Sequence, residues 1–327
     1  MTETALTEGS EAAAAPRWRG IAGAVGGVVL GLVLVVAAGL KALDPHAFAE
    51  EIAAQGVTFG LPALAVALVA LGLEMALGLA LALDLRRTAV LVLATLLVAF
   101  FLFLTGRTWW RAAHGTLDEA ASCGCFGALV ERTPAEAFLQ DLLLLAPALG
   151  LAWVGRPGAR RHLRWRWGAT GVGTAALIGL AVAAPSLPLD DWATRLAPGV
   201  ELAELCAGAG DGRVCLAGLA PELAQGEHLV VVAEPAAEGF DELAAELNRY
   251  ALAGGEPAVA MLAELTPEER VALFWRIAPA FDLHETPRAL LRPLYRTLPR
   301  SFRVEDGRVV ETWSGLPPAL AEPAPER

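Results

Sequence analysis

The sequence predicts a membrane α-helical bundle, a four-helix core plus a fifth span, followed by an α/β domain. Three observations lead there. Of 327 residues, 55% are hydrophobic, and the mean hydropathy of +0.50 is too high for two soluble domains. The apolar runs are confined to the part before residue 188. Charge divides at the same place: residues 1–186 hold 13 acids against 13 Lys plus Arg, whereas residues 187–327 hold 23 acids against 12 Arg. The whole formal charge of −11 therefore belongs to the second part, an acidic, solvated domain with no basic footprint for nucleic acid.

Five apolar runs approach the roughly 20 residues that a helix needs to cross hydrocarbon. They cover residues 21–40, 61–83, 88–105, 137–154 and 168–187. The first exceeds the roughly 7 to 15 residues of a signal-peptide core and follows a mostly acidic segment, so it is read as a retained span behind an N-terminal tail, 1–19. The fourth carries Gln140 and Asp141 near its start, but Thr133-Pro134-Ala135-Glu136 supplies an N-cap, a first-turn proline and a capping-box glutamate. That helix begins at the cap.

Arginine placement sets the expected orientation, because cytoplasmic loops carry the excess of Lys and Arg. Arg17 and Arg19 precede the first span, Arg86 and Arg87 fill the link between the second and third, and Arg156, Arg160, Arg161, Arg164 and Arg166 crowd the link before the fifth. These regions are assigned to the cytoplasm. The loops around 44–60 and 107–136 then face outward, as does the domain after the fifth span. The expectation is a multi-pass protein of the plasma membrane, its N-terminus cytoplasmic and its C-terminal domain periplasmic or extracellular.

The second outer loop contains SCGCFG, residues 122–127. On the oxidising side of a membrane, thiols tend toward disulfides. A C-x-C pair is too tightly spaced to staple distant parts of a fold, and Gly124 eases the backbone restriction on closing so small a ring. A strained short-loop disulfide is easily reduced, which suits a group that passes oxidising equivalents onward. The other reading is a static local disulfide or idle thiols. A metal site is not indicated, since two cysteines and an isolated His114 do not make a closed ligand set.

Two ionisable residues lie in the apolar runs. Glu74, near mid-span, is either a buried structural acid or a functional group facing the bundle interior. Lys41, at the outer end of the first span, either snorkels to the interface or points inward toward the loop. If both point inward, they would tune thiolate formation at Cys123 or Cys125 or hold a quinone-like acceptor.

Lys41-Ala42-Leu43-Asp44-Pro45 with Phe48, Glu74 followed by Gly78, and Cys123-Gly124-Cys125-Phe126-Gly127 together resemble the MauE/DoxX group of redox-associated membrane proteins. The resemblance covers about residues 20–155, and the cysteine motif is its most specific part. It implies a four-helix membrane bundle linked to disulfide formation or maturation of an exported partner. Nothing in the sequence identifies methylamine metabolism as this chain's own pathway.

A basic link and fifth span, 156–188, lead to an external domain at 189–318 and a tail, 319–327. The run 229–233 reads as a buried strand, and Phe240, Leu243, Leu247 and Tyr250 fall at helical spacing. A second strand at 257–262 is followed by Thr266-Pro267-Glu268-Glu269, which opens a capped helix through Ile277. Residues 287–297 suggest another helix, and 301–304 with 308–313 a hairpin turning at Asp306-Gly307.

The tail of this pattern, Leu298-Pro299-Arg300-Ser301-Phe302 and then Asp306-Gly307-Arg308-Val309, resembles the end of thioredoxin-like domains, with Pro299 as the candidate cis-proline. Where such domains carry C-x-x-C, this chain reads Glu234-Pro235-Ala236-Ala237-Glu238. With no thiol there, the domain is expected to bind or support rather than to exchange disulfides. Cys206 and Cys215 flank a Gly-rich turn, as a structural disulfide or as a relay to Cys123 and Cys125.

Two functions follow. One is a membrane thiol-disulfide oxidoreductase in which Cys123 and Cys125 take electrons from an exported client and pass them to a membrane acceptor. No cofactor is specified by the sequence, and a membrane quinone is the candidate acceptor. The other is a non-enzymatic assembly factor whose anchored domain holds a partner. A small-solute carrier is weaker, because the five spans show no inverted repeat.

Overall fold

A computed structural model describes residues 17–58, 60–114, 133–155, 164–208 and 212–321. Among them, five helices are long and apolar enough to cross a membrane: α1 (Arg17–Leu43), α3 (Ala63–Ala82), α4 (Thr88–Ala113), α5 (Pro134–Val154) and α6 (Arg164–Ala183). Each expected span is present. A further helix, α2 (Pro45–Ala54), follows α1 directly. Its start is written in the sequence: Asp44 accepts a hydrogen bond from the Ala47 amide, and Pro45 occupies the first turn. Too short to span, it was absorbed into the first outer loop by hydropathy alone.

The bundle is built around α1, which packs on α3 and α5; α4 closes against α5, and α6 lies along α3. Close approach explains the glycines of α1. A Cβ on Gly31 would stand 2.5 Å from the Ala82 amide nitrogen, and one on Gly26 would stand 2.5 Å from the Ala148 carbonyl oxygen. Small residues at such crossings let backbones touch, which matters where lipid removes the hydrophobic drive for helices to associate. The interior between α1, α3, α4 and α5 holds Leu30, Leu34, Leu77, Leu81, Leu91 and Leu145. Large aliphatic side chains also point outward, Val69 at 72% and Leu143 at 73% exposed, as lipid-facing positions require.

After α6, a short helix α7 (Asp190–Ala193) leads into the C-terminal domain. A two-stranded ribbon, β1 (Cys206–Ala207) and β2 (Val214–Cys215), runs into the one-turn helix α8 (Leu216–Leu219). The main sheet follows as β3 (Glu227–Val232), α9 (Phe240–Leu252), β4 (Ala258–Ala263), α10 (Pro267–Ile277), β5 (Asp282–Glu285), α11 (Arg288–Leu291), β6 (Arg300–Glu305), β7 (Arg308–Ser314) and α12 (Pro318–Ala321). Its order is β5-β4-β3-β6-β7. The first three strands are mutually parallel, and β6 and β7 run antiparallel to their neighbours.

Both faces of the central strands are buried. Val230 and Val232 join Leu216, Leu290, Leu294 and Phe302 on one side; Leu229 and Val231 join Phe240, Leu247, Met261 and Leu273 on the other. Period-two alternation therefore gives an unbroken apolar run, as in a sheet covered twice. The β6–β7 hairpin turns at Asp306 and Gly307, both at positive φ (46° and 79°), the combination a two-residue type I′ turn demands. The expected helix over 287–297 is shorter: α11 passes into a single 3₁₀ turn, Arg292–Leu294, because Pro293 has no amide to continue the ladder. β5 was not expected, since Asp-Leu-His-Glu carries almost no apolar signal.

Candidate functional site

The two ends of the bundle differ. At one, Arg86 is buried and donates from Nη1 to the Gly155 carbonyl at 2.8 Å and from Nε to Asp84 at 2.6 Å. At the other lie Asp44, α2 and the C-terminal domain. The interior changes character toward this second end. Three residues before Leu77 on α3 stands Glu74, four before Leu145 on α5 stands Asp141, and Lys41 follows Ala38 on α1; all three are buried. The hydrophobic packing below them is unbroken.

Lys41 and Glu74 meet there. The ammonium donates to both carboxylate oxygens, at 3.0 and 2.9 Å, with the two residues 4% and 1% exposed. Phe48 of α2 and Phe101 of α4 hold their rings 4.9 and 5.1 Å from Nζ, near enough for cation–π attraction. Lys41 thus turns inward instead of snorkelling. Two hydrogen bonds and two ring faces offset the cost of removing both charges from water, and a buried pair persists only when its geometry is this complete. Asp141 was noted in the sequence only as polarity at the start of a span; it is buried on the inner stripe of α5, with Ala137, Leu145, Ala148 and Ala152.

The other sequence-derived residues fall elsewhere. Cys123 and Cys125 lie outside the described residues. Cys206 and Cys215 are opposite one another in the β1–β2 register and joined by a disulfide, and Arg195 donates to the Cys206 carbonyl at 2.9 Å. Pro299 follows a cis peptide bond and borders a small cavity of about 430 Å³ with Glu234, Ala237 and Glu238. Among the described residues, no group of His, Cys, Asp and Glu is arranged to hold a metal ion.

Four arginines recur every four residues from Arg288 to Arg300; the first three fasten the C-terminal domain to the bundle, and the fourth ties α7 to the sheet. Arg288 reaches Glu50 at 3.2 Å, and Arg292 reaches Glu50 at 3.1 Å and Asp44 at 3.5 Å. Arg296 donates to the Ala184 and Leu187 carbonyls past the end of α6. Arg300 donates to Asp191 at 2.7 Å and to the Ser314 hydroxyl at 3.1 Å. The spacing was visible in the sequence, but α11 ends too soon for the four to share a helix face, so periodicity alone did not mark them as a strap.

Between α2 and the domain opens a cleft of about 1570 Å³. Lys41, Asp44 and Phe48 line it from the bundle; Glu234, Leu265 and Glu285 line it from the domain. The buried ion pair therefore lies at the bundle side of a large cleft, with the ammonium on its border.

Residues 19–154 match the family model described as methylamine utilisation protein MauE. No curated protein and no solved structure matches the chain.

Proposed function

We propose, from the match of residues 19–154 to the MauE family model, that this membrane protein supports disulfide formation or maturation of exported proteins through Cys123 and Cys125. The family's description speaks of methylamine utilisation, and a membrane-associated role in that pathway is the family-level expectation. The observation that carries the chemical reading is the buried Lys41–Glu74 pair on the border of the cleft. Ionisable residues within a span are functional candidates by default, and Lys41 lies near the end of α1 that leads into α2 and the cleft.

In the proposed cycle, a client thiolate attacks the Cys123–Cys125 disulfide and forms a mixed disulfide. A second client thiolate then resolves it. The client loses two electrons and two protons and gains an S–S bond, while Cys123 and Cys125 become thiols. A membrane quinone, taking up two electrons and two protons, restores the disulfide and leaves as quinol. Lys41 and Glu74 would orient the acceptor's oxygen and handle its proton.

The C-terminal domain is proposed as a thioredoxin-like module that has lost its thiols. Support comes from β3-α9-β4-α10 followed by the β6–β7 hairpin, with Pro299 immediately before β6. In this reading the Arg86 end faces the cytoplasm and the domain faces outward, because the basic links stand at that first end. A non-enzymatic assembly factor is the second reading, favoured by the absence of a thiol in Glu234–Glu238.

Mass-tagging of free thiols in intact membranes tests the proposal. Cys123 and Cys125 should be oxidised at rest, become taggable after a dithiol substrate is added, and return to the oxidised state with quinone. Function preserved in the Cys123→Ser, Cys125→Ser double variant would remove the redox reading and leave the assembly factor.

A further inference from the structure

The cleft is placed where an open α/β sheet presents ligands. Val232 ends β3 and is followed by Ala233 and Glu234, Glu264–Thr266 follow β4, and Glu285 ends β5 and is followed by Thr286 and Pro287; all of these residues line it. The carboxyl ends of all three parallel strands thus open into one space, the position at which such sheets bind their ligands. Its opposite wall is α2, whose Ala47, Phe48 and Ala54 face the strand ends. Strand ends from one domain and a helix from the other make a groove that neither has alone.

Size and charge narrow the occupant. At about 1570 Å³ the space exceeds the roughly 300–1,000 Å³ of small-molecule pockets. It suits a length of chain. Acidic lining residues outnumber basic ones seven to four, and the four cations are engaged: Lys41 with Glu74, Arg276 with Asp241, and Arg288 and Arg292 with Glu50. Two of those partners, Glu74 and Asp241, stand outside the lining, as does Arg270, which pairs the lining residue Glu285. Glu269 sits on the first turn of α10 with its carboxylate held ionised by the Thr266 amide and hydroxyl. Glu234 stands two residues past the end of β3. An anionic headgroup or phosphate would be repelled from such a surface.

We infer that the cleft between α2 and the strand ends binds an extended, basic segment of another polypeptide, its apolar side chains against Ala47, Phe48 and Leu265 and its cations toward Glu234 and Glu269. The inference rests on the reading above that the chain handles exported proteins, and it names where such a client is held. Extended chains alternate their side chains between two faces, so one strand-like segment can address the apolar wall and the acidic rim together.

The test uses the full-length protein in phosphatidylcholine nanodiscs and two short fluorescent peptides, one alternating Val and Lys, the other Val and Glu. Anisotropy should show the basic peptide binding at least about tenfold more tightly than the acidic one. Glu234→Lys combined with Glu269→Gln, which keeps the helix cap, should weaken the basic peptide by about tenfold, while Glu204→Lys, exposed elsewhere on the domain, should change it by less than about twofold. Equal affinity for both peptides, an equal loss with Glu204→Lys, or equal binding to empty nanodiscs would each overturn the inference. The Cys123→Ser, Cys125→Ser double variant should bind the peptide as the wild type does. That result keeps the cleft even if the redox reading fails, and loss of binding there would overturn it.

Discussion

Breaking the Lys41–Glu74 pair one side at a time should cost far more than removing it whole. Two unit charges 2.9 Å apart attract by about 6 kcal/mol at an effective dielectric constant of 20. Most of that attraction offsets desolvation. Glu74→Leu would leave an ammonium among Phe48, Phe101 and the bundle interior, and Lys41→Met would leave a carboxylate 1% exposed. Each single substitution should cost about 3–5 kcal/mol, whereas the double substitution should fall within about 1–2 kcal/mol of the wild type. The assay is equilibrium unfolding of the full-length protein in mixed micelles under increasing sodium dodecyl sulfate, followed by tryptophan fluorescence. A coupling energy above about 2 kcal/mol is expected from the cycle. Singles that cost less than about 1 kcal/mol, or a double equal to their sum, would refute the argument that the two charges hold each other in the bundle.

Three further outcomes follow from the same geometry. Replacing Cys206 and Cys215 by Ser opens a ring with a sequence separation of 9, and should lower thermal stability of the C-terminal domain by about 3 kcal/mol on the chain-entropy estimate while leaving thiol exchange unchanged; lost exchange with an intact fold would make the pair a relay. Gly31→Val should cost about 3 kcal/mol or more, read as loss of monodisperse protein in detergent, because the nearest atom to a new Cβ is backbone, 2.5 Å away. Glu269 has its carboxyl pulled below the ordinary glutamate range, first by the Thr266 amide and then by its hydroxyl. Its stabilisation is complete above the unfolded-state value and lost as pH falls through the lower folded one, so Glu269→Gln should flatten that part of the acid-unfolding curve.

What the sequence reveals depends on whether a feature is local. The spans were legible because hydropathy is summed along the chain, and α5 and α10 were legible because each is announced by Thr-Pro-x-Glu, whose capping boxes form as written. β5 escaped because a strand can be paid for by its neighbour: its Asp282–Glu285 ladder rests on β4, not on its own side chains. Lys41 could not be decided from position alone, since snorkelling and inward pairing use the same stem; the choice depends on Glu74, 33 residues away. The cleft was invisible for the same reason. It is made by strand ends and α2, which arginines that read, in one dimension, as surface charge help to hold together.

One small segment ties these parts together. Lys41 ends the inward face of α1, and its carbonyl accepts a hydrogen bond from the Asp44 amide at 3.2 Å. The Asp44 side chain caps α2 through the Ala47 amide and also receives Arg292 from the C-terminal domain. Phe48, one turn into α2, covers the ammonium. Pulling the domain away therefore strains the cap, the cap positions α2, and α2 carries the ring that seals the buried pair. Residues 41–48 thus form one continuous set of contacts from the α2 wall of the cleft to the buried pair.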